Sequence, residues 1–325
     1  MRIAIDAMGG DNGSKVVIEA IKAFKKEYPN DKIIVFGKKE ELEELSSLCR
    51  IEDAPEVVPM EAGALEVIRM KNSSMCKAIN TMKEEGFDAI VSAGSTGGFL
   101  SASTLILKMI PGVKRAALVT AFPTKIKGKK VVVLDVGANN ENSPEELVQF
   151  AHMGKAYDQA LFNNKEPKTY LLSNGAEAHK GSPLVKETYK LLKEKEFKGF
   201  MGNMEARDVL NGDADIIVAD GFSGNVLLKG MEGIAKMMSS MIKANFKKNL
   251  WTKLGYLHVR GGFKNMSETM DYKSVGGAML LGINGVVIKA HGNSDAYSFK
   301  NAIRVAHQMA EFDVVNKIKE SLENE

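Results

Sequence analysis

Short, almost unbroken apolar runs recur along the chain, each followed by a glycine-rich turn and then by an amphipathic stretch. Ile3-Ala4-Ile5-Asp6 leads into Gly9-Gly10-Asp11, and Ala89-Ile90-Val91 into Gly94-Ser95-Thr96-Gly97-Gly98. Val131-Val132-Val133-Leu134-Asp135 leads into Gly137-Ala138-Asn139, and Ile216-Ile217-Val218-Ala219-Asp220 into Gly221-Phe222-Ser223-Gly224-Asn225. Runs of this kind are expected of strands buried on both faces, as in a parallel sheet covered by helices. The stretches between them carry helix-start signals. Ser143-Pro144-Glu145-Glu146 combines an N-cap serine, a proline at the first helical position and a capping box. Ser182-Pro183 opens a second helix, and Asn293-Ser294 is expected to cap the last one, where Ile303, Ala306, Met309 and Ala310 keep the helical period. The pattern predicts one α/β/α sandwich of the doubly wound, Rossmann-like kind over residues 1–325, on a mostly parallel sheet.

One stretch breaks the rhythm. Over residues 234–264 no strand is expected, and apolar positions (Met237, Met238, Met241, Trp251, Leu254, Tyr256) alternate with Lys236, Lys243, Lys247, Lys248 and Lys253. This predicts a helical excursion from the sandwich. Its aromatic and basic residues suit an anionic membrane surface, with Trp251, Leu254 and Tyr256 as the contacts. Packing against a second copy of the chain is the competing explanation.

Composition narrows the function classes. The chain has 325 residues and a net charge of +3, with no basic run dense enough for a nucleic-acid arm. Cys49 and Cys76 are the only cysteines, and neither sits in a CxxC, so reduced thiols in a cytoplasmic protein are expected. The N-terminus runs straight into a strand with no leader-like segment, and no apolar run approaches the roughly 20 residues that span a bilayer.

Several nucleotide, hydrolase and metal motifs are missing. The chain has no GxxxxGK[ST], no GxGxxG after a strand, no GxSxG, no HExxH and no clustered His/Cys set. A P-loop kinase, a nicotinamide dehydrogenase, an α/β-hydrolase and a catalytic metal are thereby disfavoured. The glycine-rich strand ends are then either an anion site or merely tight turns that need glycine for their backbone geometry. Loops at the carboxyl ends of parallel strands offer free backbone N–H groups and close approach. Four such loops are expected to crown one edge of the sheet, with Gly9, Gly10, Gly94, Ser95, Thr96 and Gly97 shaping the pocket. The segment Asn174-Gly175-Ala176-Glu177-Ala178-His179-Lys180-Gly181 puts a lysine in a strand-to-helix loop, where it can meet a phosphate or remain a solvated surface charge. Asn225 can donate from its side-chain amide or cap a helix.

These blocks resemble the phosphate acyltransferase (PlsX) family. Ile5-Asp6-Ala7-Met8-Gly9-Gly10-Asp11 looks like its opening signature. Lys71–Met75, Ser92–Gly98, Leu134–Asn139, Leu147–Ala151, Asn174–Gly181, Gly202–Asp208, Asp220–Val226, Val275–Ala278 and Ile288–Gly292 resemble later family blocks in the same order. Ser95 stands where the family often has asparagine, and Gly98 where it often has alanine. The resemblance implies a fold related to isopropylmalate dehydrogenase and phosphotransacetylase, and a homodimer with its active site near the subunit interface. It also implies transfer of a fatty acyl group from acyl carrier protein to inorganic phosphate. The acyl phosphate would pass to the membrane glycerol-3-phosphate acyltransferase for phospholipid synthesis. No metal or organic cofactor is implied beyond the carrier's own phosphopantetheine.

With no nucleophile motif, direct attack of phosphate on the thioester carbonyl is the simplest chemistry. Lys180 and Asn225 are then expected to hold the phosphate or the oxyanion. Asp6 and Asp220 would orient Lys180 or move a proton, and His291 would serve as acid for the leaving thiolate. Two rival readings are transfer from a short acyl-CoA and a non-catalytic protein that recruits the carrier.

Overall fold

The computed structural model describes residues 1–248, 251–252, 255–256, 258–262 and 276–323. Eleven strands form one continuous sheet. They are β1 (Arg2–Asp6), β2 (Lys32–Gly37), β3 (Arg50–Asp53), β4 (Ala89–Ser92), β5 (Ala117–Pro123), β6 (Lys130–Leu134), β7 (Thr169–Ser173), β8 (Phe200–Glu205), β9 (Ile216–Val218), β10 (Ala278–Leu281) and β11 (Val286–Lys289). The spatial order is β3-β2-β1-β4-β11-β10-β5-β6-β9-β7-β8. The expected sandwich on a mostly parallel sheet is what forms.

The centre of the sheet departs from the expectation. The pairs β11–β10, β10–β5 and β5–β6 are antiparallel, and all others are parallel. The two parallel halves therefore run in opposite directions. Carboxyl ends of β1, β4 and β11 lie at one edge, and those of β6, β9 and β7 at the other. The four glycine-rich loops thus do not crown one edge. An apolar run of a few residues carries no mark of its direction, and the reversal depends on β5 and β10, whose pairing is set by distant parts of the chain.

Side-chain alternation along each strand feeds two apolar layers. One face packs under the helices Gly13–Glu27, Pro144–Phe162, Pro183–Glu194, Ala296–Glu311 and Val314–Glu323. The other packs under Ser74–Glu85, Thr96–Ile106 and the first turns of the long helix Gly221–Lys247. Ser143 makes the predicted capping box with Glu146, and Ser182 accepts from the Val185 N–H. The cap expected at Asn293-Ser294 falls instead on Asp295, which accepts from the Ser298 N–H, and a further helix follows. The predicted excursion is the outward continuation of Gly221–Lys247, with helical residues again at 251–252 and 258–262. Trp251 is 82% exposed and Tyr256 40% exposed. Leu254 lies outside the described residues.

That long helix leaves β9 at a point where its backbone touches the loop after β6. A Cβ on Gly221 would stand 2.0 Å from the Asn139 carbonyl oxygen, and one on Gly224 1.8 Å from that of Asp135. Gly224→Ala is therefore expected to cost about 3 kcal/mol or more through overpacking against rigid backbone. Gly230, later in the same helix, has open space around it. Gly230→Ala should be neutral or stabilising by up to about 1 kcal/mol through helix propensity. Urea unfolding midpoints of the two variants provide the comparison.

Candidate functional site

A cleft of about 360 Å³ crosses the middle of the second face, between the two halves of the sheet. Its floor is β5, whose alternate residues Leu118, Thr120 and Phe122 point into it. One wall is the β4 and β11 ends, with Gly94, Thr96, Lys289, Ala290, His291 and Gly292. The other is Val136 and Gly137 after β6, together with Asn225, Leu228, Lys229 and Glu232 from the helix Gly221–Lys247.

The first wall is built from three neighbouring strands. Asp6 and Lys289 both stand level with Ser92, on either side of it. Asp6 is buried. Its carboxylate accepts from the Ser74 hydroxyl at 2.7 Å, the Ser92 hydroxyl at 2.6 Å and the Met8 N–H at 3.1 Å. The Ser92 hydroxyl in turn accepts from the Gly94 N–H at 3.0 Å. A Cβ on Gly9 would lie 2.3 Å from the Gly94 Cα, so only glycine lets these two loops meet. The Asp11 N–H donates to the Gly292 carbonyl at 2.8 Å, and the Asn12 amide to that of Ser294 at 2.9 Å. Ser95 caps the helix Thr96–Ile106 by accepting from the Gly98 N–H, and its hydroxyl donates to the Met60 carbonyl.

The second wall hangs on Asp135. This fully buried carboxylate accepts from the N–H groups of Leu118, Gly137, Ala138 and Asn139 and from the Asn139 side-chain amide, all within 3.0 Å. Burial pushes its pKa up, and the hydrogen bonds oppose that. The turn it holds presents Gly137 at φ +125, and a Cβ there would meet the Asn225 amide carbon at 3.2 Å.

Of the residues singled out by sequence, Gly94, Thr96, Asn225 and His291 line the cleft. Asp6, Gly9, Gly10 and Ser95 support its first wall without lining it, and Gly97 faces open space. Lys180 is exposed and does not line the cleft. Its stem folds over Gly175 of its own loop, where a Cβ would touch it at 2.8 Å. It follows β7, which pairs with β9, so it shares an edge with Asn225 and lies at the opposite edge from Asp6. Orientation of Lys180 by Asp6 does not survive that separation. Asp220 caps the helix Gly221–Lys247, accepting from the Ser223 N–H at 2.9 Å. His291 Nε2 is 3.7 Å from Glu232 Oε1. Burial lowers its pKa, and Glu232 only partly offsets this, so the ring is neutral at pH 7. It suits hydrogen bonding better than delivery of an imidazolium proton.

Two residues at the site were not singled out by sequence. Lys289 ends an apolar run just as Asp6 does, and Asp135 ends Val131–Leu134. A charge closing a fully apolar strand was the available signal in both cases. No group of three or more metal-ligating side chains gathers among the described residues.

The fold has counterparts among solved structures. A branched-chain phosphotransacylase from Enterococcus faecalis V583 superposes with a TM-score of 0.60 at 15% identity, covering 95% of this chain and 99% of that one. A phosphotransacetylase from Streptococcus pyogenes gives 0.56 at 18% identity, covering 99% and 94%. At such identities the likeness shows the fold alone. Residues 1–317 match the family model described as fatty acid synthesis protein, and the chain belongs to that family. The phosphate acyltransferase of Clostridium botulinum (strain Alaska E43 / Type E3) is 44% identical over 332 residues, covering 99% of both chains. That of Exiguobacterium sp. (strain ATCC BAA-1283 / AT1b) is 42% identical over 325 residues, covering 98% of both. The protein is an acyltransferase.

Capping and proton transfer make different demands on Asp220. Asp220→Ser is expected to retain the cap and turnover, whereas Asp220→Ala should lose about 1 kcal/mol of stability. Loss of turnover in a stable Asp220→Ser variant would instead return a chemical role to this carboxylate.

Proposed function

We propose that the protein transfers a fatty acyl group from acyl carrier protein to inorganic phosphate, making acyl phosphate for phospholipid synthesis. The carrying observation is the two-sided character of the cleft. Lys289 and the first turn of Thr96–Ile106 supply positive potential, Lys229 is paired with Glu232 at 3.0 Å, and Leu118, Phe122, Val136 and Leu228 supply apolar wall. An anion and the start of an acyl chain fit side by side in such a space. Phosphate oxygen attacks the thioester carbonyl, the tetrahedral oxyanion collapses, and the phosphopantetheine thiolate leaves and takes up a proton. Placing the two reactants supplies about 7–11 kcal/mol of the barrier. Asn225 in the cleft is the proposed oxyanion donor, joined by Lys180 once its exposed side chain swings in from the adjacent strand end, each worth roughly 3–4 kcal/mol. No cofactor enters this scheme.

The exposed outer face of the long helix supports the partner assignments. Ile234, Met237, Met238 and Met241 are each at least 40% exposed, although they lie on a helix that packs inward at Leu227, Leu228 and Met231. We assign this strip to a homodimer contact. Trp251 and Tyr256, beyond it and beside Lys248, are assigned to the cytoplasmic face of the membrane, where the glycerol-3-phosphate acyltransferase would receive the product. No helix among the described residues is long and apolar enough to cross a membrane.

Purified protein with palmitoyl-ACP and phosphate is expected to form palmitoyl phosphate, read by mass spectrometry, and to do so far faster than with acetyl-CoA. Asn225→Ala and Lys180→Ala should each lower turnover on the order of 100-fold while remaining folded. Wild-type turnover in both variants would remove them from the chemistry, and a preference for acetyl-CoA would replace the donor. For the membrane contact, Trp251→Glu should abolish flotation with liposomes containing anionic lipid. Flotation equal to wild type would take that role away from Trp251.

A further inference from the structure

Lys289 is a cation whose surroundings are incomplete. It is only 8% exposed, the one lysine so deeply buried among the described residues. Its ammonium donates to the backbone carbonyl of Ala93 at 3.4 Å and to that of Ala290. An ammonium has three donors, so one remains for whatever occupies the cleft that this side chain lines. Among the described residues no carboxylate forms a salt bridge with it. The nearby Asp6 has both oxygens engaged by the Ser74 and Ser92 hydroxyls. A buried charge without a paired counter-ion is costly unless a ligand completes it.

Building on the proposed phosphate acceptor, we infer that Lys289 is a catalytic residue that binds the attacking phosphate directly, its ammonium donating to a phosphate oxygen. Its neighbours suit this task. Gly94, Thr96 and Gly292 line the cleft with backbone and small side chains, so an oxyanion can approach closely. Ser92, held by Asp6, fixes the Gly94 loop, and the hydrogen bond from Asp11 to Gly292 fixes the other side. The charged and titratable groups facing Lys289 are Asp6 and Asp11 from the β1 end, Lys229 and Glu232 from the long helix, and His291 beside it. Burial lowers the Lys289 pKa to about 8, with Asp6 and Asp11 pushing upward and Lys229 downward. The ammonium is thus present below about pH 8 and lost as pH rises through it, and grip on the anion should go with it.

Steady-state kinetics with palmitoyl-ACP and inorganic phosphate test this on wild type, Lys289→Met and Lys289→Arg. Lys289→Met is expected to raise the KM for phosphate about thirtyfold, with the KM for palmitoyl-ACP nearly unchanged. Wild-type kcat/KM for phosphate should fall about tenfold per pH unit above about pH 8. Lys289→Arg should retain phosphate binding and lose that alkaline fall. A folded Lys289→Met variant with an unchanged phosphate KM would overturn the inference. So would a wild-type profile flat up to about pH 10, which needs no variant to fold. Calorimetric titration of inorganic phosphate separates this inference from the reading beneath it. Binding that disappears in Lys289→Met while wild type makes no acyl phosphate upholds the lysine site and defeats the proposed reaction. Phosphate-dependent turnover with binding indifferent to position 289 does the reverse.

Discussion

Asp135 has no exposed surface, yet its two carboxylate oxygens accept five hydrogen bonds from Leu118, Gly137, Ala138 and Asn139. One donor sits on β5 and the rest lie in the turn after β6, so a single buried anion ties an antiparallel strand pair to its exit loop. The same loop carries the carbonyl oxygens against which Gly221 and Gly224 pack. The long helix therefore leaves β9 at an angle dictated by backbone contact, and that angle lays Asn225, Leu228, Lys229 and Glu232 along the cleft. Removing the carboxylate would leave five donors without an acceptor, each a desolvation cost, at the junction of β5 with β6.

The opposite wall uses the same device with different residues. Asp6 is a second buried carboxylate, satisfied by two hydroxyls and one backbone N–H, and it ties the β1 end to β4 through Ser92 and to the helix Ser74–Glu85 through Ser74. Each half of the sheet thus ends in an aspartate that organises a glycine turn, and the reversal at β10 and β5 sets the two turns across a shared face. The cleft is the gap that remains because the helices covering this face approach it from opposite edges.

Much of this was readable from the chain. Apolar runs ending in aspartate or glycine located the core strands β1, β4, β6 and β9, and the Ser143-x-x-Glu146 box located a helix start to the residue, because both are local signals. Strand direction was not local. Nothing within Val131–Leu134 says that it runs against Ile3–Asp6, so loops that looked equivalent were assigned to one edge. Lys180 and Lys289 show the same limit in side chains. Both follow or close an apolar strand, but only the folded chain decides that one is exposed over Gly175 and the other sealed beside Ser92. Asp295 replaced Ser294 as a cap for a smaller reason, since neighbouring residues of similar capping strength compete within one turn.

The remaining buried groups bear on how an acyl group would be handed over. A covalent acyl-enzyme needs an activated nucleophile in the cleft. Cys49 has its thiol pushed up to about 11 by burial, and Cys76 is raised for the same reason with Asp6 adding to it, so neither is a thiolate at neutral pH. Ser92 does sit against a carboxylate, but its hydroxyl is fully buried, donates to Asp6 and accepts from Gly94, and so has no free direction toward a substrate. Of the other polar groups that line the cleft, Lys289, Lys229, His291, Thr96 and Asn225 are suited to holding an oxyanion, and Glu232 is paired with Lys229. Phosphate is already charged and nucleophilic at neutral pH, so on the proposed reaction a site with this inventory would favour direct attack by phosphate over storing the acyl group on the protein.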